Sequence, residues 1–284
     1  NGDLIRNLTL QFELPNLGNN QKYVNYIGYS LIDYIELSIG TTPIQRLTGE
    51  WLYIYNELNL NKDKKEAYNT LVGGKEFLNF NVDEGNSGGT YIVPLSFWFT
   101  QDIGLAIPYV ALQYHDVSVT LVLKKFDKCW IAAEGNAPTE PMITSVKLNV
   151  EYVYLDSNER KLFAQSNHEY LIKQVQYSMS NNILAKQKRV KIPLIFNHPV
   201  IELIFVVQRK ASLKPGDDSG NDYLYFSKTD SSTALDTIKF AQLLLNNTER
   251  TPLMNSKEMR YLNPIHSHTG ISSNNFIYMY SFSI

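Results

Sequence analysis

What most constrains this chain is the recurrence, from one end to the other, of short runs in which apolar and polar residues alternate. In residues 4–14, Leu4, Leu8, Leu10, Phe12 and Leu14 fall on one side of an extended backbone, with Asn7, Thr9, Gln11 and Glu13 on the other. Residues 31–39 repeat the pattern, with Leu31, Ile35, Leu37 and Ile39 opposite Tyr34, Glu36 and Ser38. The same reading holds for Tyr91–Phe99, Val117–Leu123, Val146–Tyr154, Leu171–Met179, Val190–Phe196, Ile201–Val207 and Phe276–Ile284. Neighbouring side chains of a strand point to opposite faces, so a period of two predicts half-buried strands rather than helices. Each inward Leu, Ile or Phe contributes roughly 1.5–3 kcal/mol when fully buried, so the alternation also fixes register. Pro94, inside one of these runs, lacks an amide donor and predicts an edge strand or a bulge.

Helical spacing is rare. "TGEWLYIYNEL" (48–58) places Trp51, Ile54, Tyr55 and Leu58 on one face, with Thr48 as a cap. "DSNERKLFAQ" (156–165) opens on Asp156 with Glu159 three residues on, a capping-box spacing. Polar stretches at 59–70, 83–90, 133–142, 211–222 and 227–233 read as loops. The expected fold class is therefore all-β: two tandem jelly-roll β-sandwiches, a double jelly roll, with short helices in the loops and linker. The first roll spans 1–156, a linker helix 157–165, and the second roll 166–284, incomplete at its C-terminal end.

Composition excludes several function classes. A chain of 284 residues supports a sizeable core. A formal net charge of −2 offers no global field to recruit nucleic acid. The single cysteine, Cys129, permits no intrachain disulfide and fits a reducing compartment. The densest apolar run, "IELIFVV" (201–207), is strand-sized and interrupted by Glu202, and no signal peptide is visible. The 19 tyrosines, each with a large apolar face and a polar tip, suit broad sheets and protein contacts.

None of the candidate chemistry assembles into a site. His115 and Asp116 are adjacent, so on a strand they point apart, and the aspartate does not orient the histidine. His266 and His268 in "HSHTG" have a spacing that some jelly-roll metal enzymes use, yet no Glu or Asp follows to complete a ligand set. Glu13, Glu36 and Glu151 fall on the polar faces of strands, as solvated charge does, although a pair of them would serve a glycosidase. "EGNSGG" (84–89) lacks the Lys–Ser/Thr of a phosphate loop. "KQKRVK" (186–191) reads as a solvated strand face, with an anionic membrane or acidic neighbour as the other reading. Asn7 and Asn246 head sequons that matter only on secretion. Cys129 reads as a buried thiol without a base beside it. The expected catalytic, cofactor-binding and metal residues are none, and no cofactor is expected.

Longer blocks carry more information. "NGDLI" and its following strand, "IGYSLIDYIELSIGTTPIQRLTGEWLYIYNEL" (27–58), "YIVPLSFWFTQDIGLAIPYVALQYHDVSV" (91–119), "VEYVYLDSNERKLFAQSNHEYLIKQVQ" (150–176) and "FNHP" (196–199) resemble, in order, the major capsid proteins of large icosahedral nucleocytoplasmic double-stranded DNA viruses of the iridovirus, phycodnavirus and mimivirus kind. The resemblance implies a double jelly roll that trimerises into pseudo-hexameric capsomers tiling an icosahedral virion. It implies a chain truncated at both ends, since relatives carry a preceding segment and further strands. The implied partners are other copies of the chain and minor capsid proteins, an internal viral membrane indirectly, and no nucleic acid directly. The implied location is the virion capsid, assembled in the host cytoplasm at a virus factory. Contact segments are expected at 48–70, 101–110 and 156–169, and His115 becomes a packing and hydrogen-bonding residue at a strand entrance. The competing readings are a carbohydrate-binding or glycoside-hydrolysing sandwich, and a scaffolding or spike protein built on the same roll.

Overall fold

The computed structural model describes residues 2–18, 21–74, 88–132, 138–139, 143–178, 180–184, 187–213, 221–227, 235–270 and 275–282. In chain order the first half contains β1 (Leu4–Leu14), β2 (Gln21–Tyr23), α1 (Ile27–Ser30), β3 (Ile32–Ile39), β4 (Thr42–Thr48), α2 (Gly49–Asn59), α3 (Lys62–Val72), β5 (Gly89–Pro94), α4 (Trp98–Gln101), β6 (Val117–Leu123), β7 (Trp130–Ala132) and β8 (Ser145–Val153). After the helix α5 (Ser157–Gln165) come β9 (Glu202–Phe205), β10 (Phe240–Ala241), β11 (Leu244–Leu245), β12 (Thr248–Glu249), β13 (Met254–Asn255), α6 (Asn263–Ser267) and β14 (Tyr278–Ser281).

Two antiparallel three-stranded sheets, ordered β5-β1-β8 and β4-β3-β6, frame the first half. Phe12 stands opposite Tyr91 on one side and Val146 on the other, while Leu10 faces Val93 and Leu148. In the second sheet Ile35 stands opposite Leu47 and Leu121. Phe12, Ile35 and Leu37 are completely buried and belong to one apolar cluster. The alternation therefore selects the faces as expected. Register shifts occur between Ile5 and Asn7 in β1 and between Ile32 and Tyr34 in β3. The first brings Ile5 into the core as well, where it bridges Ile107 of the loop after α4.

Pro94 is the last residue of β5, an edge strand, which spares the sheet an amide donor that proline lacks. The run Tyr91–Phe99 therefore does not continue as one strand. Beyond Pro94 the chain buries Phe97, Trp98 and Phe99 and turns into α4. The stretch 59–70, read as a loop, is mostly the helix α3. Its polar composition hides its period, but Gly73 ends it at φ 71°, a left-handed cap that glycine adopts without Cβ strain. α2 and α5 start at the caps their sequences predict, but the buried side of α2 carries Leu52 and Tyr53, while Trp51 and Tyr55 of the expected face are only half-buried. Thr48 accepts the Trp51 amide at the start of α2, and Asp156 accepts the amides of Asn158 and Glu159 at the start of α5.

The second half is less regular. The runs Leu171–Met179 and Val190–Phe196 form no ladder among the described residues; Met179 itself lies outside them. Ile201–Val207 shortens to β9, and Phe276–Ile284, whose last two residues lie outside the described ones, contains β14; the two strands pair antiparallel, with Tyr278 opposite Phe205. β10 pairs with β13, and β11 with β12 across Asn246 and Asn247, whose φ values of 49° and 63° make a two-residue hairpin turn.

Candidate functional site

The residues read for chemistry do not converge. His115 and Asp116 lie exposed in the turn before β6 rather than inside a strand. The His115 ring stands against Gly40, and the Asp116 carbonyl accepts the Gly40 amide at 2.8 Å. Glu36 pairs with Arg46, Glu151 with Arg6 and Asn7, and Glu13 is exposed on β1, so each carboxylate belongs to its own stretch of surface. Cys129 lines an apolar cavity of about 190 Å³ with Leu14, Leu31, Leu123, Phe126 and Ile143, and burial pushes its thiol up to about 12. Lys188, Arg189 and Lys191 are exposed, and Lys191 reaches Asn247 at 3.2 Å. Only Gly88 and Gly89 of "EGNSGG" are among the described residues. Among the described residues no group of three His, Cys, Asp or Glu side chains is placed to hold a metal, and no helix is long and apolar enough to cross a membrane.

What does converge is a seam between the halves. Asp3 takes both nitrogens of a bidentate Arg160 fork, at 2.8 and 2.9 Å, and the Leu155 amide at 2.8 Å. The Arg160 bonds, followed by the Leu155 amide, hold the Asp3 carboxyl below its ordinary range. One carboxylate thus binds the start of β1 to the helix α5. Gln45 is buried opposite Leu37 on the core face of β4. A lone amide there would cost free energy, but Gln45 accepts from the Trp98 amide at 3.2 Å and donates to the Lys173 carbonyl at 3.3 Å. Gln174 donates in turn to the Ile44 carbonyl at 2.6 Å, so residues 173–174 lie along the edge of β4 held by side-chain amides rather than a ladder.

Residues 221–227 enter the same core from the second half. Asn221 donates to the carbonyls of Asp127 and Trp130, at 2.9 and 2.7 Å, and accepts from the Tyr223 hydroxyl. Leu224 and Phe226 are buried in the cluster that holds Phe12 and Ile35, and Phe226 lies 6.2 Å from the Tyr53 ring of α2. Beside them burial raises Asp222 to about 7, against the pull of Arg209. One turn further along α2 from Tyr53, buried Glu57 takes Lys65 and Asn275. His266 is exposed on α6, whereas His268 turns inward to Asn59 and Glu202, so the two histidines of "HSHTG" do not share a direction.

Away from the seam, apolar side chains stand in solvent. Val146 and Leu148, on the same face as buried Phe12 and Leu10, are 46% and 39% exposed on the edge strand β8. Leu171 and Ile195 are more than four-fifths exposed.

The family described as the N-terminus of the major capsid protein matches residues 1–156, and that described as the large eukaryotic DNA virus major capsid protein matches residues 159–284. This chain belongs to the major capsid proteins of large eukaryotic DNA viruses. It is 32% identical to the major capsid protein of Phaeocystis pouchetii virus, over 85% of this chain and 51% of that protein. It is 34% identical to that of Pyramimonas orientalis virus, over 94% of this chain and 61% of that protein. The chain spans about half the length of these relatives. Among solved structures its fold is similar to PBCV-1 VP54 fitted into a cryo-EM reconstruction of the virophage Sputnik, with a TM-score of 0.74 at 24% identity over 99% of this chain and 71% of that one. It is also similar to the Faustovirus major capsid protein, at 0.70 and 10%, over 99% of this chain and 78% of that one.

The Asp3–Arg160 clasp, Gln45 and the buried stretch 221–227 escaped the sequence reading, because no local pattern links residues so far apart in the chain. The one usable signal was "NDYLYFS", apolar and aromatic beyond what a surface loop needs.

Proposed function

We propose that this chain is shell-building material: two jelly rolls, divided at the linker helix, that trimerise into pseudo-hexameric capsomers of an icosahedral virion. The observation that carries the reading is that both halves match capsid-protein families consecutively and in order. The uncovered apolar side chains of β8 and of residues 171–195 supply self-association surface of the kind a lattice needs. A trimer buries on the order of 2,000 Å² or more per subunit contact, while contacts between capsomers are smaller and more polar. Minor capsid proteins and an internal membrane are further neighbours on this reading, with assembly in the host cytoplasm. The chain works by geometry and needs no reacting group. The sugar-binding reading has less support, since Glu13, Glu36 and Glu151 stand apart and Trp98 is buried.

Electron microscopy and size-exclusion chromatography of the full-length protein test this reading. Pseudo-hexagonal trimers are expected, and Ile195→Asp or Leu171→Asp should lower the trimer fraction while the circular dichroism spectrum of the subunit stays unchanged. Monomers that retain an oligosaccharide would overturn it. Deletion of 101–110 is a poor test, because Ala106, Ile107 and Pro108 are buried against the first sheet.

A further inference from the structure

The apolar cavity beside Cys129 lies where strands from both sheets stop. Leu14 is the last residue of β1, Tyr23 of β2 and Leu123 of β6, while Leu31 stands just before β3 and Cys129 just before β7. Protein interiors hold few voids larger than a water molecule, whose share of the liquid is about 30 Å³. The cavity, at about 190 Å³, has room for far more than one. Its floor is closed, since Leu14, Tyr23, Leu31 and Cys129 are buried. Its rim is half-buried, and Leu123, Phe126 and Ile143 border the way in.

Water finds little there to hold it, because a buried water needs about two to four polar partners. The polar side chains of the lining are already engaged. The Tyr23 hydroxyl donates to the Pro15 carbonyl at 2.8 Å, and the Cys129 thiol to the Lys125 carbonyl at 3.5 Å. Lys124, the cation in the wall, pairs with Glu50 of α2 and lies 5.2 Å from the centre of the Tyr223 ring. The amides of Lys124 and Cys129 are spent as well, on the Leu31 and Phe126 carbonyls at 2.9 and 2.8 Å. Apolar cavities of about 150 Å³ stay dry and admit benzene or xenon.

We infer that this cavity is a binding site for a small uncharged hydrocarbon group, aromatic or alkyl and of about benzene's size, which enters past Phe126 and Ile143 and seats against Leu31 and Cys129. The pairing of Lys124 with Glu50 leaves no counter-ion in the wall for a carboxylate, so the ligand is uncharged. An occupant touches the end of β1, the approach to β3 and the end of β6 at once, and supplies the close contacts that an empty cavity lacks. Those walls come together only on folding, so the ligand binds the folded chain and stabilises it.

The test compares the melting temperature of the full-length protein, with and without near-saturating benzene, with that of Cys129→Met, whose longer side chain grows into the cavity. Benzene should raise the wild type by about 1–3 °C and the variant by far less. No rise in the wild type, or the same rise in both, would overturn the site. Hexanoate at the same concentration should leave the wild type unmoved, and a rise equal to that with benzene would overturn the uncharged class. Should Cys129→Met fail to fold, crystals of the wild type under xenon pressure decide. An anomalous peak between Leu31 and Cys129 supports the proposal, and a cavity that takes up no xenon sinks it. Neither result bears on whether the protein trimerises.

Discussion

β1 and the run Val190–Phe196 carry the same alternating pattern and meet opposite fates. In β1 the apolar side is sealed: Phe12 is completely buried between strands contributed from residues 89–94 and 145–153. In the later run Ile192 and Leu194 remain 43% and 45% exposed, with no ladder on either side among the described residues. The comparison separates two things that a period of two conflates. Alternation determines which side of a strand is able to be buried, but the burial energy arrives only when another strand closes the ladder and another layer covers the face.

The largest expected effect tests that contrast directly. Phe12→Ala should cost about 3–5 kcal/mol, and Ile195→Ala should stay within about 0.5 kcal/mol in the unassembled subunit, as read from urea unfolding midpoints at concentrations too low for trimers. A large cost at Ile195 would mean that this run is covered in the protein. The next effect has the opposite sign. Asp222, raised to about 7 by burial, binds its proton more tightly folded than unfolded, so stability falls as pH climbs from the ordinary carboxylate range to about 7 and levels off above it. Asp222→Asn should therefore stabilise the protein above neutrality, on the order of 2 kcal/mol, and gain little under acid conditions. Asp3 works the other way, since Arg160 and the Leu155 amide lower it. Its contribution is present above the ordinary carboxylate range and lost as pH falls through its lowered folded value. Acid, or Asp3→Asn at neutral pH, should speed hydrogen exchange at Leu155 and along α5 while the core of β1 stays protected. Uniform loss of protection would show that α5 is not separately held. The smallest effect concerns Cys129, whose thiol is pushed up to about 12 and buried. It should resist alkylation at neutral pH until the protein unfolds, which a mass-shift assay reads.

Legibility followed the range of the interaction. Thr48 and Asp156 cap helices through amides two or three residues away, and both ends were readable. The buried faces of β1 and β3 were readable because alternation is local. α3 was missed because lysines and asparagine dilute its period, although Gly73 marked its end. The seam was opaque for a different reason. Asp3 meets Arg160 and Asn59 meets His268 only after folding, and nothing near either residue announces the partner. His268 was weighed as a metal ligand beside His266, yet its neighbours are a helix end and a carboxylate from β9.

The tight turn at Asn246 and Asn247 has a practical consequence. Its two positive φ angles close β11 onto β12, and the two strand residues on each side are exposed. A foreign peptide spliced between those asparagines would therefore lengthen an exposed turn and leave the core untouched.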